Sequence, residues 1–100
     1  MTTENIIARL DYYTSIDKEI TKENSNDFVI YRYKKMTIKI KSALDENNYL
    51  SVDLSTDENG KGFEIFYVLV DMIKSVSFKH DSFGVVLHCQ TWFDVPFSIL

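Results

Sequence analysis

Both histidines and the single cysteine of this 100-residue chain fall within one short stretch, His80 to Cys89, HDSFGVVLHC. Those residue types can do two kinds of chemistry. A cysteine beside a histidine can act as a nucleophile, and a histidine–thiolate cluster can hold a metal ion. Either requires the side chains to converge. His88 and Cys89 are sequence neighbours, and on a strand neighbours point to opposite faces. No Cys-x-x-Cys or His-x-x-x-His spacing occurs. The stretch reads instead as a hairpin, with Cys89 in the core opposite Val76, His88 outward opposite Ser77, and His80 at the other end. No metal ligand is assigned.

The remaining catalytic residue types are equally unconvergent. The carboxylates show no pairing suited to acid–base work; Asp53, Glu64 and Asp81 fall on an outer face or in turns. Gly60-Lys61-Gly62 flanks an Asn-Gly turn and lacks the spacing of a phosphate-binding loop. The expectation is a protein that is not an enzyme and needs no cofactor.

Two surfaces could bind. In YRYKKMTIKIK (31–41), Arg32, Lys34, Lys35, Lys39 and Lys41 are interleaved with Tyr31 and Tyr33. Basic strands carrying aromatics can grip single-stranded nucleic acid. Lys39 and Lys41 can equally keep a strand face wet, with Asp53 across from Lys39. The other surface is the far side of the sheet, where Phe66, Val68, Val70, Val86 and Trp92 sit among Ser51, Asp53, Ser75, Ser77 and His88. Either the N-terminal helix covers Phe66, Val68 and Val70, or the patch meets a protein partner. In the second case Val86, His88, Trp92, Phe93 and Phe97 are the contact residues.

The elements that must position these groups follow from periodicity. Ile6, Ile7, Leu10, Tyr13, Ile16 and Ile20 share a stripe, which predicts a helix over 3–23 (within a helical segment 1–24). Thr2 or Thr3 caps it, and Thr14 with Asp17 marks a possible break. NSND (24–27) is a loop. The period then changes to two. Met36, Ile38 and Ile40; Leu50, Val52 and Leu54; Ile65, Tyr67 and Leu69; Val76 and Phe78; and Val85, Leu87 and Cys89 compose one buried face of five consecutive antiparallel strands.

Turn chemistry sets the expected registers. Asn59-Gly60 pairs Glu58 with Lys61, Leu54 with Ile65 and Val52 with Tyr67. A loop at Asp45 to Asn47 pairs Ile40 with Val52 and Ile38 with Leu54. A loop at Asp81 to Gly84 pairs Phe78 with Leu87. A turn at Asp71-Met72 pairs Tyr67 with Val76. Residues 63–74 also fit a helical spacing, and their β-branched and aromatic content favours strand. Pro96 restricts the C-terminal segment to an edge. The fold class is α+β: an N-terminal helix, then a five- or six-stranded antiparallel meander over 28–99, curled or like a small barrel.

Composition bounds the rest. The length and 45% hydrophobic content suit a single domain, 1–100. A lone cysteine, no leader-like N-terminus and no long apolar run predict a cytoplasmic chain without a membrane partner. The net charge of −4 opposes general phosphate binding. Acidic residues concentrate in 1–27 and 45–64, which can steer the chain onto a basic partner. The expected function is a non-catalytic, acidic protein-binding module. It would act as an inhibitor, such as an immunity or anti-host protein of bacterial or phage origin. A nucleic-acid-binding barrel and a subunit of a homo-oligomer are the alternatives.

Overall fold

In the computed structural model, residues 1–41, 48–55, 62–81, 84–92 and 96–97 are described, with 54–55, 62–66, 80–81, 84–85 and 96–97 described by backbone alone. Helix α1 spans Thr3–Ile16. The Thr2 hydroxyl accepts from Asn5 N–H at 3.1 Å and opens it. The helix ends seven residues before the predicted end at 23. Asp17 stops it: its carboxylate accepts from Glu19 N–H at 3.0 Å, and its carbonyl accepts from Ile20 N–H. A local turn of this kind competes with the next helical turn. The break expected near Thr14 falls instead at Asp17: the helix runs through Thr14, whose hydroxyl donates to the Leu10 carbonyl at 2.9 Å rather than capping a new helix.

The chain then enters β1 (Thr21–Ser25), which replaces the predicted helix tail and part of the predicted loop. A two-residue turn at Asn26-Asp27 leads to β2 (Phe28–Tyr33). A second such turn, Lys34-Lys35, leads to β3 (Met36–Lys41). Asn26 and Lys34 take φ of 39° and 50°, the left-handed conformation these tight turns need. Strands β4 (Tyr49–Ser55) and β5 (Gly62–Leu69) complete an antiparallel five-stranded meander in sequence order. It curls without closing into a barrel.

A 3-10 turn over Val70–Met72 carries the chain out of this sheet. A second sheet follows, of β6 (Ile73–Asp81), β7 (Gly84–Thr91) and the short β8 (Pro96–Phe97). The expected Asp71-Met72 hairpin between Tyr67 and Val76 therefore does not form. The 3-10 turn separates two sheets where one continuous sheet was predicted. Residues 63–74 are mainly strand, interrupted by that turn.

Three registers can be compared with expectation. Phe78 pairs with Leu87, Val76 with Cys89 and Ser77 with His88, as predicted. Ile40 pairs with Leu50 and Ile38 with Val52, a two-residue slip that keeps the same face inward. Asn48 ends that ladder. Its amide donates to Thr3 Oγ1 at 2.6 Å and to the Lys41 carbonyl at 2.7 Å, while its own carbonyl accepts from Val70 N–H. The third register differs by one residue at Val52 and by two at Leu54, which pairs with Phe63 rather than Ile65. Ser51 pairs with Tyr67 and Val52 with Phe66, and an irregularity follows between Val52 and Asp53. A one-residue slip exchanges the faces of a strand. The Asn59-Gly60 turn and the Asp45–Asn47 loop lie outside the described residues.

One apolar cluster joins everything. Ile6, Leu10 and Ile20 pack with Tyr31, Met36, Ile38, Ile40, Leu50 and Val52 of the first sheet, and with Ile73, Val76, Phe78, Leu87 and Cys89 of the second. Phe78 meets both Tyr13 and Tyr33 with ring centres 6.0 and 5.6 Å away. The helix and second sheet thus share the inner face of the first sheet. Each such buried side chain is worth roughly 1.5–3 kcal/mol.

Candidate functional site

The core takes the inner face of the five-stranded sheet, and among the described residues no element lies over its outer face. Alternation sends Phe28, Ile30 and Arg32 of β2, Lys39 and Lys41 of β3, and Tyr49, Ser51 and Asp53 of β4 outward. The slipped register adds Tyr67 and Leu69 of β5. The cross-strand partners Glu23–Ile30, Ile30–Lys39, Lys39–Ser51 and Ser51–Tyr67 form a row across all five strands. Beside it, Ser25 pairs with Phe28 and Tyr49 with Leu69.

These side chains enclose an open groove of about 350 Å³, lined by Ser25, Phe28, Ile30, Lys39, Tyr49, Ser51, Asp53 and Tyr67. Ile30 and Ser51 are buried at its floor, and Tyr67 stays 55% exposed on its wall. The Tyr49 and Tyr67 rings lie diagonally across the strand pair, 4.6 Å between centres and tilted by 35°. Lys39 Nζ stands 3.9 Å from Asp53 Oδ2, both side chains partly exposed. The groove thus combines aromatic surface, hydroxyls and one loose ion pair.

This site is only partly what the sequence predicts. Tyr67 and Leu69 were expected in the core, and the structure turns them outward. Val68 is half-buried against the core and Val70 is buried, where an outer position was expected. The run FEIFYVLV is apolar at nearly every position, so alternation could not choose its inner face. Phe28, Ile30 and Tyr49 received no role from the sequence. Their signal lay in two-residue spacing: Phe28 and Ile30 alternate with Val29 and Tyr31, and Tyr49 with Leu50.

The nucleic-acid stretch is divided by the fold. Tyr31 and Tyr33 are buried in the core, so they offer no face to a base. Tyr31 donates to Asp11 Oδ1 at 2.7 Å, and burial together with that carboxylate pushes its phenol far above the usual range. Arg32 is paired with Glu23, Lys39 with Asp53, and Lys34 lies over the Tyr33 ring. Lys35 is exposed in the turn and Lys41 is partly exposed at the end of β3. Arg32, Lys39 and Lys41 alternate onto the outer face, Lys41 paired with Phe28, whereas Lys34 and Lys35 lie in the turn and Tyr31 and Tyr33 lie in the core.

The C-terminal candidates are likewise split. Trp92 is 62% exposed, with its indole N–H donated to the Asp71 carbonyl at 2.9 Å and Lys74 above the ring. His88 is half-buried. Val86 is buried at 5% exposure, which corrects its placement on a free surface. Phe93 and the side chain of Phe97 lie outside the described residues. Cys89 is fully buried, and burial pushes its thiol up to about 11. A protonated thiol is a poor nucleophile.

Among the described residues no group of three or more histidines, cysteines and carboxylates is placed to hold a metal ion. No described helix is long and apolar enough to cross a membrane. Comparison with family models, with curated proteins and with solved structures finds no match.

Proposed function

We propose that this chain is a non-catalytic protein-binding module that offers the outer face of its five-stranded sheet to a partner with a basic contact surface. The observation that carries this reading is the groove, over which no described element lies. Phe28, Ile30, Tyr49, Tyr67 and Leu69 lie on the side of the sheet away from the helix and the second sheet. Aromatic side chains grouped around a concavity are the usual anchors of protein interfaces. The net charge of −4 favours encounter with a positive surface. Trp92, held by the carbonyl of Asp71 two residues beyond Leu69, extends the contact surface at its margin.

An inhibitor that blocks a basic enzyme surface would work this way without chemistry of its own. The test is capture from native host lysate followed by gel filtration, using the wild type, Tyr67→Ser, and Tyr12→Ser as a control on exposed helix surface. A defined complex that survives Tyr12→Ser and is lost with Tyr67→Ser supports the reading. A complex indifferent to Tyr67, or recovery of nucleic acid alone, contradicts it.

A further inference from the structure

We propose that β1 is a strap over the edge of β2, tethered at both ends, which lifts off as a unit under the control of two exposed ion pairs. Lifting uncovers the row of backbone groups along β2. An open strand edge is what the strand of another chain pairs with.

Little holds the strap down. Thr21, Lys22, Glu23 and Asn24 are exposed, and Ser25 is half-buried. Its cover of the core is the Lys22 side chain, whose ammonium lies 5.9 Å from the Tyr31 ring centre. Besides the backbone ladder to β2, one ion pair fastens each face. Lys22 Nζ meets Asp11 at 3.0 Å on the helix side, and Arg32 meets Glu23 on the outer side. All four side chains reach water, so dissolved salt screens both pairs. A segment with few apolar contacts and a solvent-reached ladder opens before the rest of the fold.

The tethers stay seated. Ile20, just before β1, is buried, and Glu19 beside it holds a hydrogen bond with the Tyr33 phenol. At the other end Val29 and Tyr31 fix β2 in the core. Thr21 stands opposite Arg32, four residues along β2 from Phe28. Four strand rises cover about 13 Å, whereas the chain from Thr21 to Phe28 reaches about 23–25 Å when extended. The strap therefore has the slack to rise while Ile20 remains in place. Nor does lifting strand a buried charge. Asp11 keeps the Tyr31 hydroxyl at 2.7 Å, and Lys22, Glu23 and Arg32 are exposed.

Amide hydrogen exchange on the intact chain, followed by NMR in about 20 mM and about 500 mM sodium chloride, tests this. The β1 amides in the ladder should exchange at least about a hundred-fold faster than those of Ile38, Ile40 and Val52. High salt should speed them a further two- to ten-fold or so, the range of two exposed pairs, with the β3–β4 amides as internal reference. Amides of β2 that donate to β1 should follow β1, and those that donate to β3 should not. Lys22→Met and Glu23→Gln should each supply part of the acceleration at low salt. Exchange of β1 as slow as that of β3 would overturn the proposal. So would β1 rates indifferent to salt or to both variants, or a β2–β3 ladder that opens together with β1.

Discussion

The two faces of the five-stranded sheet are made from the same strands and do opposite work. The inner face carries Tyr31, Met36, Ile38, Ile40, Leu50 and Val52, all buried, and meets both the helix and the second sheet. The outer face carries Phe28, Tyr49, Tyr67 and Leu69 beside Lys39 and Asp53. No described element lies over it. Apolar residues on the inner face are accounted for by folding. Those on the outer face are not, and the proposed binding role rests on this difference.

The contrast can be broken first at its strong side. Leu50→Ala should cost roughly 2–5 kcal/mol, because a buried leucine is lost and a cavity remains. Equilibrium urea unfolding reads this directly. A loss well under 1 kcal/mol would show that the inner face is not the core. Next comes the polar clip at the sheet's end. Asn48→Ala leaves the Thr3 hydroxyl and the Lys41 carbonyl without their donor, at about 1–3 kcal/mol. Tyr31→Phe removes the bond to Asp11 and the longer one to the Ile7 carbonyl and should cost about 1 kcal/mol.

Cys89 gives a smaller, pH-dependent effect. Its thiol titrates near 11 in the folded chain against an ordinary value near 9. A raised pKa means the folded state holds the proton more tightly. The associated stability is therefore fully present below about 9 and is lost as pH rises through about 11. Unfolding free energy measured between pH 8 and 11 should fall in the wild type more than in Cys89→Ala. Iodoacetamide should modify Cys89 slowly until the chain is unfolded; fast reaction in native buffer would place the thiol outside the core.

Sequence periodicity discloses parts of this structure unevenly, and the reasons are physical. The pairing of Val76 with Cys89 and Phe78 with Leu87 was readable because polar Ser75, Ser77 and Lys79 leave only one apolar face. FEIFYVLV offers apolar residues to both faces, so packing and an irregular register at Val52/Asp53 made the choice. Strand β1 hid in a helical pattern because the Ile20 spacing continues that of Ile16. Only the Asp17 side chain, by turning back on Glu19, ends the helix. The groove was illegible for the same reason as β5: it depends on Tyr67 facing outward.

The most direct measurement is urea unfolding of the double variant Tyr67→Ser/Leu69→Ser beside Val52→Ala. Val52 is fully buried, whereas Tyr67 and Leu69 are exposed. The account predicts that the outer pair changes stability by no more than about 0.5 kcal/mol per site, as exposed positions do. Val52→Ala should be clearly destabilised. An outer double variant as unstable as Val52→Ala would mean that this face is structural core, and the binding role assigned to it would fall.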